Sequence, residues 1–209
     1  MIAALMCGGK GSRLVTPLAI EKPLLGLKGG TMIDLVIEAL LRSEQFDKIL
    51  ALPSFNTPKT TEYLSTHRYT SLQAIDVIET EGVSYSSDLS AVVSKLKPAR
   101  VFVVSADLPL LNPKIVKKIV ARCLPCTPCV SIMLEKLFVK SIGITPSIVT
   151  FIGMKEYCHS GITVLDSSRV STEHCLEEHY ELMNNVELAV NVNTIQEFKI
   201  AKDLLNRND

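Results

Sequence analysis

Apolar and polar positions alternate along the chain in two rhythms. Short apolar runs end on Gly, Pro or polar turns, and between them lie stretches with apolar residues three and four apart. IAALM (2–6), KILAL (48–52), LQAIDVI (72–78) and RVFVVSA (100–106) read as buried strands. The last is apolar throughout and β-branched, as a central parallel strand requires. TMIDLVIEALLRS (31–43) predicts a helix with Thr31 as N-cap and an apolar stripe at 33, 36, 37, 40 and 41. NTPKTTEYL (56–64) predicts another, with Thr57 as N-cap and Pro58 first in the helix. SDLSAVVSKL (87–96) adds a third, and NPKIVKKIVARC (112–123) repeats the Asn-cap, Pro-first start.

VSIMLE (130–135), GITVL (161–165) and ELAVNV (187–192) read as further strands. TIQEFKIAKDLL (194–205) closes the chain as an amphipathic helix with Ile195, Phe198, Ala201 and Leu205 on one side. Strands and helices alternate to about residue 135, which predicts a three-layer α/β/α sandwich on a mostly parallel sheet. No repeat, low-complexity tract or linker interrupts the pattern, so residues 1–209 read as one domain. The irregular stretch 136–160 reads as a long functional insertion, since structureless loops of that length are otherwise uncommon.

Charge narrows the partners. The chain carries 22 basic and 22 acidic residues, a net charge of zero, with no long basic run. That argues against electrostatic binding to nucleic acid or a membrane surface, so any anionic ligand needs a local site. No apolar stretch approaches the roughly 20 residues of a membrane span, and Met1–Cys7 is too short for a secretory segment. A cytoplasmic protein is expected, and a homo-oligomer is compatible with these features.

Six cysteines stand at 7, 123, 126, 129, 158 and 175. CLPCTPC (123–129) has CxxCxxC spacing but lacks a fourth ligand at matching spacing. Cys123, Cys126 and Cys129 therefore read as small thiols around a Pro-broken turn, reduced and without a disulfide. His67, His159, His174 and His179 show no metal-ligand spacing. His174 and His179 are expected on a solvated helix face.

Candidate chemistry gathers at strand ends, where open parallel sheets bind ligands. After the first strand comes CGGKGSRL (7–14), followed by EKPL (21–24). Lys10 between Gly9 and Gly11 breaks the phosphate-loop pattern that ends in Gly-Lys-Ser/Thr. Leu14 stands where a dinucleotide fingerprint has its third glycine. Gly8, Gly9 and Gly11 still let backbone N–H groups approach phosphate oxygens, and Lys10, Arg13 and Lys22 add three cations suited to a triphosphate. Asp107 in SADLP (105–109) ends the central strand, placed either to hold Mg²⁺ or to turn the chain before Pro109. In TEGVSYSSDL (80–89), Gly82 permits close approach to a base or ribose, and Glu81 or Ser84 is placed to read its edge. Asn193 in NVNT (191–194) either completes a metal or phosphate site or begins a helix cap.

CGGKGSRL…EKPL, SADLP and NVNT together resemble the nucleotidyltransferases of the GT-A-like α/β fold, including the sugar-phosphate and molybdenum-cofactor enzymes. ALPSFNTPKTTEYL (51–64), DVIETEGVSYSSDL (76–89), TPSIVTFIG (145–153), SGITVL (160–165) and VNVNTIQEFKIAKDLL (190–205) resemble a narrower group, the archaeal adenosylcobinamide-phosphate guanylyltransferases. The chain departs from the group at Cys7, where alanine is usual, and in a longer stretch between Arg13 and Lys22.

The resemblance implies GMP transfer from GTP to a corrinoid phosphate acceptor, in assembling the cobalamin nucleotide loop, with Mg²⁺ as cofactor. It implies that Gly8, Gly9, Lys10, Gly11, Ser12 and Arg13 cradle the phosphates. Lys22 would reach the α-phosphate, and Asp107 would face the phosphates and the metal. Glu81, Gly82 and Tyr85 would lie near guanine and ribose, Gly161 would face the acceptor, and 136–160 would help house the corrin. The alternatives are another nucleotidyltransferase of molybdenum-cofactor or sugar-phosphate type, a metal-dependent glycosyltransferase, or a nucleotide-binding module without turnover. A glycosyltransferase would want a second carboxylate beside Asp107, where Ala106 and Leu108 stand.

Overall fold

A computed structural model describes residues 1–9, 11, 14, 20–146, 148–170 and 176–207. Strand β1 (Ile2–Met6) is followed by the short hairpin β2 (Gly26–Leu27) and β3 (Gly30–Thr31), then helix α1 (Met32–Ser43). Thr31 and Asp34 form a reciprocal capping box at the start of α1. Next come β4 (Lys48–Leu52), α2 (Pro58–Ser65), α3 (Arg68–Ser71), β5 (Ile75–Val77), α4 (Tyr85–Val93), β6 (Arg100–Ser105) and α5 (Pro113–Arg122). Beyond them lie β7 (Cys129–Glu135), α6 (Lys136–Ser141), β8 (Val149–Ile152), β9 (Lys155–Asp166), β10 (Glu178–Leu182), α7 (Val186–Ala189) and α8 (Ile195–Arg207).

The main sheet runs β10-β7-β9-β6-β1-β4-β5, with β8 paired to β9. Strands β6, β1, β4 and β5 are parallel neighbours, as are β10 and β7, whereas β9 runs antiparallel to β6, β7 and β8. Alternation along each strand divides the core between two faces. Ala3, Leu5, Phe102 and Val104 pack with α1 and α5, whereas Ala4, Met6, Val101 and Val103 pack with Val92 and Val93 of α4. These are the three layers that the sequence pattern predicts. Among the described residues, no helix is long and apolar enough to cross a membrane.

Several expectations need correction. The run 187–192 is not a strand: α7 occupies Val186–Ala189, and an irregular segment with Val190 and Val192 buried follows. A continuous apolar run fits a buried helix as well as a strand, so its pattern does not decide between them. The segment 136–160 is not a structureless insertion, because it holds α6, β8 and the first half of β9. The expected strand 161–165 is the end of that twelve-residue strand. The expected strand 72–78 shortens to Ile75–Val77, since Gln73 turns the chain at φ 58°. His179 lies in β10, an exposed edge strand, rather than on a helix. Its sequence EHYEL is polar on both sides, so no alternation announces it. His174 lies outside the described residues. Thr57 does not cap α2 with its side chain, which bonds to Ser54 instead.

Candidate active site

The ends of β1, β4, β5 and β6 surround a cleft of about 420 Å³, within the range of small-molecule sites. Gly8 and Gly9 leave β1 into it, Asn56 follows β4, Gly82 and Tyr85 follow β5, and Asp107 follows β6. Two polar side chains tie these loops together. Ser54 donates to the Gly8 carbonyl at 2.7 Å, and Asn56 donates to the Gly82 carbonyl at 2.9 Å. A Cβ at Gly8 would fall 2.7 Å from the Ser54 Cβ, so the loops close only with glycine there. Gly82 has φ 71°, and a Cβ on it would strike the Asn56 amide at 2.1 Å.

Lys22 begins a single 3₁₀ turn, and its ammonium enters the cleft. It donates to Asp107 Oδ2 at 2.6 Å and to Asn193 Oδ1 at 3.0 Å. The Lys22 and Asp107 side chains are only 15% and 9% exposed. The second Asp107 oxygen, Oδ1, is buried and accepts no hydrogen bond among the described residues. Partial shielding strengthens the ion pair and raises the penalty for leaving either charge alone.

Two acidic residues that sequence reasoning did not single out position this cluster. Glu21 accepts from the backbone N–H groups of Lys59 and Thr60 at 2.9 and 2.7 Å, and from the Thr60 hydroxyl at 2.6 Å. The first turn of α2 is thus capped from EKPL rather than by Thr57, which fixes the chain carrying Lys22. Glu197, 3% exposed, accepts from the backbone N–H of Asn193 at 2.7 Å and of Thr145 at 3.3 Å. Asn193 also donates to Asn191, and the Val192 N–H donates to the Asp107 carbonyl at 2.9 Å. A spacing of four to the next acidic residue signals the Asn193–Glu197 pair. No local pattern announces the contact between Glu21 and α2.

The structure brings Gly8, Gly9, Lys22, Gly82, Tyr85 and Asp107 to one cleft. Gly11 packs against it, since a Cβ there would lie 3.4 Å from the Lys22 Cβ. Ser84 also lines the wall, whereas Glu81 is exposed and does not. Lys10, Ser12 and Arg13 lie outside the described residues. Tyr85 leaves 49% of its surface open at the mouth. A phenol is neutral at neutral pH in any case, and desolvation, then the Asp107 charge, push the Tyr85 pKa further up.

Gly161 sits on the adjoining edge, where the pairing of β7 with β9 shifts register between Ser131 and Met133. A Cβ on Gly161 would lie 3.5 Å from the Ser105 Cβ and 3.6 Å from the Asn191 amide nitrogen. His159 holds this bulge by accepting the Gly161 N–H on Nδ1 at 2.9 Å. Desolvation lowers the His159 pKa against the opposing pull of Glu178, which keeps that nitrogen available as an acceptor.

Among the described cysteines, Cys7 lies in the cleft wall and Cys123, Cys126, Cys129 and Cys158 do not. Cys123 and Cys129 are buried and Cys126 is exposed. Among the described residues, no group of three His, Cys, Asp or Glu side chains is placed to hold a metal ion.

Glycines at the end of β1 and a lysine paired with one buried carboxylate thus share one cleft at the strand ends. Residues 3–135 match the MobA-like NTP transferase domain, and the chain belongs to that family. It is 36% identical over 210 residues to the adenosylcobinamide-phosphate guanylyltransferase of Methanocaldococcus jannaschii, covering 99% of this chain and 98% of that one. A nucleotidyl transferase from Methanothermobacter thermautotrophicus shares the fold at TM-score 0.65 and 16% identity, covering 100% of this chain and 99% of its own. The 4-diphosphocytidyl-2C-methyl-D-erythritol synthase of Anaerococcus prevotii does so at TM-score 0.65 and 12% identity, covering 99% and 98%.

Proposed function

We propose that this nucleotidyltransferase works in the cytoplasm, transferring GMP from GTP to adenosylcobinamide phosphate and releasing pyrophosphate and adenosylcobinamide-GDP. The observation that carries the reading is the lysine–carboxylate cleft, in a chain alike end to end to an enzyme named for that reaction.

The chemistry asks for positioning and charge rather than a base. A phosphate monoester has a second pKa of about 6, so at neutral pH the acceptor is largely a dianion. One of its oxygens forms a bond to the α-phosphorus as the bond from that phosphorus to the pyrophosphate oxygen breaks. Negative charge grows on the α-phosphate oxygens and the leaving group. Lys22, held in the cleft by Asp107 and Asn193, opposes that charge, and Gly8 and Gly9 leave backbone room for the phosphates. Arg13, from its place in the sequence, would add a second cation. Gly161, from its place in the sequence, would face the incoming phosphate.

Mg²⁺ fits the donor set. Asp107 offers a buried oxygen that accepts nothing among the described residues, and Mg²⁺ is commonly held by one or two carboxylates together with substrate phosphates. Asp107 would hold it, with the Asn193 amide as a neighbouring oxygen donor. Once bound, the ion neutralises phosphate charge.

The test is pyrophosphate release from GTP with and without adenosylcobinamide phosphate, in the presence of Mg²⁺. Release should require both substrates. Release with molybdopterin or a sugar phosphate but not with the corrinoid would reassign the acceptor. Binding of GTP without release in any combination would make the chain a binding module.

A further inference from the structure

One polar group in the cleft wall has no part in phosphate chemistry. Asp88 lies in the first turns of α4, is 7% exposed and lines the cavity. Its Oδ1 accepts the Gly82 N–H at 3.1 Å, while Asn56 holds the Gly82 carbonyl from the other side. Among the described residues, no hydrogen bond or ion pair engages Oδ2. Oδ2 is not sealed off from solvent, so this carboxylate keeps one oxygen open in the cleft wall. Its lone pairs are spent on one backbone N–H, although it has about four acceptor sites.

The loop that Asp88 grips is also held by the Asn56 amide, and Gly82 makes its left-handed turn there at φ 71°. The carboxylate is therefore anchored at Gly82, on the wall of the cleft that follows β5. Among nucleobases, guanine alone presents two adjacent donors, N1–H and the 2-amino group, to a pair of carboxylate oxygens. Adenine and cytosine put a ring-nitrogen acceptor beside their amino group, and uracil flanks its single N–H with two carbonyl oxygens. Each of those would face an acceptor-only group with an acceptor.

We propose that Asp88 is the guanine-reading residue of this cleft, accepting N1–H and the 2-amino group of the bound nucleotide. The inference rests on the guanylyl-transfer reading and supplies its base selectivity.

The test measures binding of GTP, ITP, XTP and ATP, by titration calorimetry, to the full chain and to its Asp88→Asn variant. ITP lacks only the 2-amino group, so the unmodified protein should bind it about 10- to 100-fold more weakly than GTP, the worth of one hydrogen bond to a charged acceptor. ATP should bind more weakly still. In Asp88→Asn the carboxamide oxygen can accept N1–H while its NH₂ donates to the 2-oxo group of xanthine. The variant should therefore lose GTP affinity and prefer XTP.

A purely structural Asp88 would weaken all four nucleotides alike and leave their order intact, which overturns the proposal. Equal binding of GTP and ITP by the unmodified protein overturns it without any variant, while leaving nucleotidyl transfer standing. Failure of the unmodified protein to bind any of the four would overturn the guanylyl-transfer reading and this inference with it.

Discussion

Replacing Lys22 by methionine keeps most of the side-chain volume and removes the ammonium. The structure then holds Asp107 with 9% of its side chain exposed, one oxygen already without a partner and the other stripped of a 2.6 Å contact. Breaking a buried pair from one side costs roughly 3–5 kcal/mol, because the remaining charge stays desolvated. For a chain of this size each kcal/mol moves the melting temperature by about 2–4 °C, so Lys22→Met should melt roughly 6–20 °C lower. Turnover should fall about 10²- to 10³-fold, as expected for one electrostatic donor to the transition state. The double variant Lys22→Met/Asp107→Asn separates the two effects. It removes the stranded charge, so calorimetry should show most of the lost stability restored while turnover stays low. A Lys22→Met protein with unchanged melting and near-normal turnover would show that Lys22 neither balances Asp107 nor serves the transition state. A double variant no more stable than the single one would likewise show that Lys22 does not balance Asp107.

Other outcomes follow from the same geometry. Glu21→Ala removes three hydrogen bonds to the start of α2. It should cost about 1–3 kcal/mol in urea unfolding and lower kcat without changing the order of nucleotide preference. His159, with its folded pKa held below the ordinary value by desolvation, binds its proton less readily folded than unfolded. Stability should therefore be complete above the unfolded pKa of about 6.5 and fall as pH drops from there toward the folded value. In His159→Gln the urea midpoint should lose that part of its pH dependence. Among the CxxCxxC thiols, iodoacetamide at pH 8 should label Cys126 first by peptide mass mapping. Burial pushes the Cys123 and Cys129 thiols up to about 11, and the thiolate is the reacting form.

The half of the fold that carries the cleft was legible because its elements obey simple rules. RVFVVSA has to be a buried strand, and Thr31 and Asn112 cap their helices as residues of their kind do. The glycines and Lys22 advertise phosphate chemistry by type and spacing alone. The second half was less legible for physical reasons. EHYEL carries polar side chains on both faces of an edge strand, and the apolar run before Asn191 suits helix and strand alike. Glu21 and Asp88 escape a reading of the sequence because their importance lies in backbone N–H groups that only folding brings within reach. A carboxylate in a loop or helix looks solvated until its burial is known.

The proposed reaction moves the α-phosphate of GTP, with its guanosine, to the corrinoid phosphate. It is tested most directly by following label from GTP into adenosylcobinamide phosphate in parallel reactions. Label at the α-phosphorus should appear in the corrinoid product, and label at the γ-phosphorus should appear only in pyrophosphate. Transfer of the γ-label to the corrinoid, or release of both labels as free nucleotide and phosphate, would contradict it.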